Sequence, residues 1–128
     1  MARYLHTMVR ITDPDRSRAF YEALGFTFSR DFDIVRNGER EATNYFFSIG
    51  DQENVLELTF NHDGREYEIG TGYGHIAIGV DDLDGTLARL KEQGIEPERE
   101  PYRVRDGGSR LAFVKDPDQY RVELIERA

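Results

Sequence analysis

The sequence contains no cysteine and no long apolar run, and each absence narrows what the chain can be. Without cysteine there are no disulfides, thiolate ligands or catalytic thiols, so any metal ion must be held by histidine and carboxylate. No apolar run approaches the roughly 20 residues that a membrane-spanning helix needs. The N-terminus shows no signal-peptide pattern. We therefore expect a cytoplasmic protein that does not associate with a membrane.

A basic stripe is also missing. The 17 Lys and Arg residues are scattered among 25 Asp and Glu residues, and the net charge is -8. A phosphate backbone would be repelled, so nucleic acid is excluded as a partner. The 38% hydrophobic content, with 7 Tyr and 8 Phe, is enough for a packed core. The length fits one domain or two very small repeats.

The first segment alternates like a strand and then changes to a helical pattern. Residues 4–11 place His6 and Arg10 on the face opposite the aliphatic side chains. Asp13 is a candidate helix cap, and the apolar stripe that follows predicts a helix as far as Leu24. Gly25 stands where a left-handed residue would end that helix.

Three shorter strands are predicted next. Residues 26–30 are expected to form one strand, followed by a polar, mobile loop through residue 41. Residues 42–49 and 54–60 predict two more. In the last of these, Glu57 lies mid-strand on the face opposite the leucines, and Asn61 shares that face if the strand continues. Residues 61–74 predict a loop that links two halves.

The second half repeats the pattern of the first. A glycine-rich segment leads to a strand that begins at His75, and Asp82 starts a helix that Gly94 ends. Further strands are predicted at residues 98–104, 109–114 and 120–126. Glu123 again lies mid-strand.

The repeat spacing is the most informative feature. Gly25 follows His6 by 19 positions (25 − 6), and Gly94 follows His75 by 19 (94 − 75). Glu57 follows His6 by 51 positions (57 − 6), and Glu123 follows His75 by 48 (123 − 75). The spacing predicts an α+β fold of two tandem β-α-β-β-β repeats in a curved mixed sheet.

Two histidines and two glutamates in equivalent positions form a potential metal site. Any one of them alone would be an ordinary surface residue, and the combination is what indicates a site. Such a donor set suits Ni²⁺, Co²⁺, Mn²⁺, Fe²⁺ or Zn²⁺, and leaves two octahedral positions for water or substrate oxygens. His62 lies outside the repeat and is predicted to be an exposed loop residue.

Several segments match one known family: residues 5–10, 20–21, 24–25, 56–61, 70–77, 111–113, 116–118 and 123–124. Through them the sequence resembles the glyoxalase I family of the vicinal oxygen chelate superfamily. The resemblance implies one vicinal-oxygen-chelate domain at residues 1–128, with repeats at 1–62 and 75–128 joined by a linker at 63–74. It also implies a homodimer with troughs at the interface and active sites shared between the chains.

The resemblance assigns roles to seven residues. It implies metal ligands at His6, Glu57, His75 and Glu123. It places Arg10 and Asn61 at the glutamyl end of glutathione, and Arg105 near the glycyl carboxylate. The short chain with histidine at the first ligand position resembles the bacterial form, which favours Ni²⁺, with Co²⁺ or Zn²⁺ possible.

The implied reaction isomerises the hemithioacetal of methylglyoxal and glutathione to S-lactoylglutathione through a metal-stabilised enediolate. Glu123 is expected to be the base, with Glu57 as the alternative or a second proton carrier. Two departures from the family stand out: His62 replaces a tryptophan and Gln119 replaces a turn glycine. These departures are compatible with a substrate formed from a thiol other than glutathione or an aldehyde other than methylglyoxal.

Other members of the superfamily remain as alternatives. They are an acyl-coenzyme A epimerase, an antibiotic thiol transferase, an extradiol dioxygenase and a metal-free drug-binding protein. The dioxygenase would leave one glutamate unexplained, and the drug-binding protein would need none of the four ligands.

Overall fold

The computed structural model describes residues 1–127. The chain separates into two compact units, Met1–Glu68 and the residues from Ile69 onward. Within the described residues, no helix is both long and apolar enough to cross a membrane.

The first unit has β-α-β-β-β topology and a four-stranded sheet. Its elements are β1 (Thr7–Ile11), α1 (Pro14–Leu24), β2 (Thr27–Arg36), β3 (Glu39–Ile49) and β4 (Gln52–Asn61). The strands lie in the order β1-β4-β3-β2, with β1 parallel to β4 and the other neighbours antiparallel. The sheet is therefore mixed, as the repeat predicted.

Helix α1 begins and ends where the sequence predicts. The Asp13 carboxylate accepts a hydrogen bond from the Arg16 amide at 3.2 Å, which satisfies one of the free amides of the first turn. Gly25, with φ of +111°, ends the helix in the left-handed conformation. Phe20 and Tyr21 are fully buried, so the helix contributes its aromatic face to the core.

The predicted mobile loop before residue 41 is wrong. Strand β2 continues to Arg36 and β3 starts at Glu39, so the two strands form one long hairpin. Asn37 and Gly38 make its tight turn, with φ of +54° and +77°, the geometry that an Asn-Gly pair favours between antiparallel strands. The prediction failed because β2 is an edge strand exposed along most of its length, and its charged residues give it the composition of a loop.

The second unit is a smaller version of the first. Its elements are β5 (Ile76–Val80), α2 (Leu83–Lys91), β6 (Leu111–Lys115) and β7 (Arg121–Glu126). The strands lie in the order β5-β7-β6, with β5 parallel to β7 and β6 antiparallel to it. The position of β7 beside β5 is equivalent to that of β4 beside β1.

The strand predicted at residues 98–104 is only partly formed. A single bridge joins Tyr102 to Leu111, and the Glu98 amide donates to the Phe113 carbonyl at 2.9 Å. Pro101 lies between these two contacts, and it has no N–H to donate to a ladder. The segment therefore follows the edge of β6 without forming a continuous strand.

Candidate metal centre

His6 and Glu57 come together in the first unit. The predicted strand began at residue 4 and included His6, but β1 begins at Thr7, so His6 immediately precedes it. Glu57 lies in the middle of β4. The parallel register pairs Glu57 with Met8. The Nε2 atom of His6 lies 2.8 Å from the Oε1 atom of Glu57, and the two side chains are 37% and 13% exposed. This imidazole–carboxylate pair lies at the surface of the sheet, open on one side.

His75 and Glu123 form the same pair in the second unit. His75 immediately precedes β5, and Glu123, in β7, is paired with Ala77 by the parallel register. The Nε2 atom of His75 lies 3.2 Å from the Oε1 atom of Glu123, with exposures of 37% and 17%. In both units the glutamate is therefore beside the residue two positions after the histidine.

Each pair also has a phenylalanine that sequence reasoning missed. Phe46 is the antiparallel partner of Glu57, and Phe113 is that of Glu123. The Phe46 ring meets the His6 ring edge-on at 5.8 Å, and the Phe113 ring meets His75 edge-on at 5.0 Å. Each phenylalanine lies on the strand before the glutamate, so the repeat gives them equivalent positions, but the histidine that each ring meets follows only from the strand pairing.

The donors present fit a divalent ion of intermediate hardness. Imidazole nitrogen and carboxylate oxygen are both ligands of such ions. In each pair one imidazole nitrogen and one carboxylate oxygen already lie within hydrogen-bonding distance of each other. Within residues 1–127, no three histidine, aspartate or glutamate side chains converge into a complete site. Each pair therefore offers two candidate ligand atoms, one nitrogen and one oxygen.

A cleft of about 350 Å³ runs along the first sheet beside Glu57. Arg10 and Asn61, the two predicted substrate contacts, both line it together with Glu57. The Thr59 hydroxyl donates to the Asn44 amide oxygen at 2.7 Å, and both residues are buried. The cleft therefore combines hydrogen-bonded polar side chains with two carboxylates and three guanidiniums.

Tyr67 is a further residue that the sequence did not indicate. Its hydroxyl accepts a hydrogen bond from the Asn61 amide nitrogen at 2.6 Å. This contact directs the NH2 group of the Asn61 side chain toward Tyr67, so the side-chain carbonyl oxygen faces away from Tyr67. The contact comes from a loop of no regular structure, where no periodic pattern marks a partner.

Two other predicted residues have different surroundings. Arg105 is exposed in the loop before β6, so it belongs to the unit of His75 and not to that of Arg10. The prediction of an exposed His62 is wrong. Its Nε2 lies 2.8 Å from the Thr43 hydroxyl, its ring packs on Phe60, and the side chain is half-buried.

The bond from His62 extends a short network. The Thr43 hydroxyl donates to Asp33 at 2.7 Å, so its only proton is used and His62 Nε2 must be the donor in their contact. His62 thereby ties the end of β4 to β3 and β2.

Comparison with known sequences places the chain in one family. The sequence model of the glyoxalase/bleomycin resistance protein/dioxygenase superfamily matches residues 3–124. A probable lactoylglutathione lyase of Vibrio parahaemolyticus is 45% identical over 127 residues, which cover 97% of this chain and 90% of that protein. The lactoylglutathione lyase of Haemophilus influenzae is 43% identical over 125 residues, covering 95% and 90%.

A solved structure gives the same result for the fold. Glyoxalase I from Zea mays superposes with a TM-score of 0.86 at 38% identity. The match covers 98% of this chain and 45% of the maize chain, so this chain spans less than half of the maize protein.

Proposed function

The chain belongs to the glyoxalase/bleomycin resistance protein/dioxygenase superfamily, and we propose that within it the protein is a metal-dependent glyoxalase I. The reaction isomerises the hemithioacetal of methylglyoxal and glutathione to S-lactoylglutathione. The observation that carries the proposal is the recurrence of one His–Glu pair at equivalent strand positions of both units. Relatives named lactoylglutathione lyase, at 43% to 45% identity and 90% coverage of their length, support it.

The proposed ligands are His6 and Glu57 of one chain with His75 and Glu123 of the partner subunit. In this arrangement the protein is a homodimer, and each site takes one His–Glu pair from each chain. The resemblance to bacterial enzymes favours Ni²⁺, with Co²⁺ and Zn²⁺ as substitutes. A bound divalent ion would supply Lewis acidity toward two substrate oxygens, which acidifies the neighbouring C–H bond.

Glu123 is proposed to transfer the proton. Its carboxylate removes the C–H proton from the carbon that carries sulfur and oxygen and returns it to the adjacent carbon, while the hydroxyl proton on the first carbon's oxygen passes to the oxygen of the adjacent carbon. The hemithioacetal thereby becomes a thioester with no change in atoms or electrons. Glu57, in the equivalent position, is the candidate second proton carrier. The low exposure of both carboxylates, 13% and 17%, limits the water that competes for the proton.

The cleft beside Glu57 is proposed to bind the glutamyl end of the thiol. A guanidinium such as that of Arg10 can pair with a carboxylate through two parallel hydrogen bonds, in a bidentate geometry. The Asn61 amide, held by Tyr67, adds a neutral contact beside it. Arg105 is the proposed contact for the glycyl carboxylate.

A thioester assay tests the proposal. Protein stripped of metal is supplied with Ni²⁺, Co²⁺ or Zn²⁺ and mixed with equilibrated methylglyoxal and glutathione, and the thioester is followed by ultraviolet absorbance. We expect thioester formation with at least one ion and none in the metal-free protein. The absence of thioester with every ion would contradict the proposed function.

A further inference from the structure

Arg121 lies between an acidic residue and an aromatic ring in the second unit. Its Nε donates to Glu98 Oε2 at 2.8 Å, and its Nη2 donates to Glu98 Oε1 at 2.9 Å. The same guanidinium lies 4.1 Å from the centroid of the Phe113 ring. The bidentate contact holds the guanidinium in place over the Phe113 ring.

Phe113 connects this arrangement to the proposed metal ligands. Its ring meets the His75 imidazole edge-on, with centroids 5.0 Å apart and planes at 85°. Its backbone pairs with that of Glu123 across the β6–β7 ladder. A shift of the Phe113 ring would therefore remove the surface against which the His75 ring is oriented.

The first unit has a looser form of the same stack. Arg30 lies 4.8 Å from the Phe46 centroid, and Phe46 meets His6 at 5.8 Å. Among residues 1–127 no acidic side chain forms an ion pair with Arg30. The ion pair that holds the arginine over the phenylalanine is thus a feature of the second unit, which carries the proposed base Glu123.

Electrostatics support a persistent ion pair between Glu98 and Arg121. The Arg121 hydrogen bonds lower the pKa of the Glu98 carboxyl below its usual range. The Arg121 guanidinium is always charged in proteins, so the pair stays ionic wherever the Glu98 carboxyl is ionised. The two side chains are 33% and 40% exposed, and an ion pair this exposed contributes little to overall stability.

We propose that Arg121 is a positioning residue: clamped by Glu98, it holds Phe113 against His75 and so keeps the His75 imidazole directed toward Glu123. The inference rests on the proposed function, because it takes His75 to be a metal ligand. Supporting contacts around metal ligands typically change metal affinity by about 10-fold to 100-fold when they are removed. The predicted consequence is a metal affinity that depends on the geometry of Arg121 as well as its charge.

The test is the variant Arg121→Lys, which retains the positive charge but loses the two-pronged contact and the flat stacking surface. Ni²⁺ alone is titrated into metal-free protein by calorimetry, and the ¹⁵N shifts of the His75 imidazole are recorded before metal is added. We expect Ni²⁺ affinity to fall about 10-fold or more, the His75 shifts to change, and the melting temperature to stay within error. Phe113→Leu is expected to reproduce the loss of Ni²⁺ affinity and the change in the His75 shifts.

Arg18 provides a matched control. It makes an ion pair with Glu22 at 3.2 Å and lies 4.3 Å from the Phe28 centroid, but Phe28 packs on Phe47 and not on a histidine. Arg18→Lys should leave Ni²⁺ affinity and the His75 shifts unchanged.

Each remaining outcome overturns a distinct claim. Wild-type affinity in Arg121→Lys, or an equal loss in Arg18→Lys, would overturn the positioning role while the wild-type protein still binds Ni²⁺. Wild-type protein that binds none of Ni²⁺, Co²⁺ and Zn²⁺ would overturn the proposed function and this inference with it.

Discussion

The Oε1 atom of Glu123 lies 3.2 Å from the Nε2 atom of His75, although two strands and a helix lie between the two residues in the chain. The parallel pairing of β5 with β7 brings them together, because it sets Glu123 beside Ala77. The same register sets Glu57 beside Met8 in the first unit. The position of each carboxylate is therefore fixed by backbone hydrogen bonds, which lets a side chain be changed without moving the strand.

Glu123→Gln should lose nearly all turnover. The amide has the shape of the carboxylate but does not accept a proton at neutral pH, and general-base catalysis typically contributes about 10²-fold to 10⁴-fold. We expect kcat to fall by at least about 10²-fold while the oligomeric state, measured by light scattering, is retained. Glu96→Gln, an exposed change of the same kind, should keep full activity. Full activity in Glu123→Gln would contradict its role as base.

Arg10→Ala should raise KM for the thiol adduct and leave the metal content unchanged. The lost charged contact is of the kind that contributes about 1.5 to 3 kcal/mol, which corresponds to an increase of roughly 10-fold to 100-fold. Tyr67→Phe removes only the hydroxyl that holds Asn61, so its increase should be about 10-fold or less. Steady-state kinetics with metal analysis measure both. Loss of metal from Arg10→Ala would show that this residue belongs to the metal site.

Mixing two inactive variants should restore activity if the sites are shared between chains. One variant carries His6→Ala and Glu57→Gln, and the other carries His75→Ala and Glu123→Gln. In a shared arrangement, each mixed dimer has one site with four intact ligands and one site with none. Random exchange makes half of the dimers mixed, so about one quarter of wild-type activity is expected. A mixture as inactive as its components, with exchange verified by mass spectrometry, would show that the sites are not shared.

Gln119→Gly should stabilise the protein. Gln119 has φ of +75°, in the turn where its amide donates to the Asp116 carbonyl at 2.9 Å. The left-handed conformation costs a side-chain-bearing residue about 1 to 2 kcal/mol, and glycine costs about 0.5 to 1 kcal/mol in chain entropy. We expect a net gain of about 0.5 kcal/mol in the free energy of unfolding by urea denaturation. Gln119→Val should be destabilising, and a stabilised valine variant would contradict this account of the turn.

The strand and helix patterns were predictable wherever one face of the element is buried. Val9 and Ile11 are buried while Arg10 between them is exposed, so the alternation in the sequence matched the environment. Strand β2 has no such contrast, since most of its residues are exposed. For that strand the Asn37-Gly38 turn was the informative signal.

The supporting contacts of the site were not predictable in the same way. Phe46, Phe113 and Tyr67 act through neighbours that are brought close only by strand pairing or loop packing. Hydrophobic periodicity reports whether a side chain is buried, and it carries no information on which ring it meets. The histidines and glutamates were found because the internal repeat gave a second, independent copy of each.

The most direct test of the central claim is a Ni²⁺ titration of metal-free protein in which bound metal and thioester formation are measured on the same samples. If the two His–Glu pairs together hold the activating ion, activity should rise with bound Ni²⁺ and reach its maximum at one ion per chain. His6→Ala and His75→Ala should each lose both binding and activity. Activity that is independent of added metal, or either histidine variant retaining wild-type binding, would contradict the account.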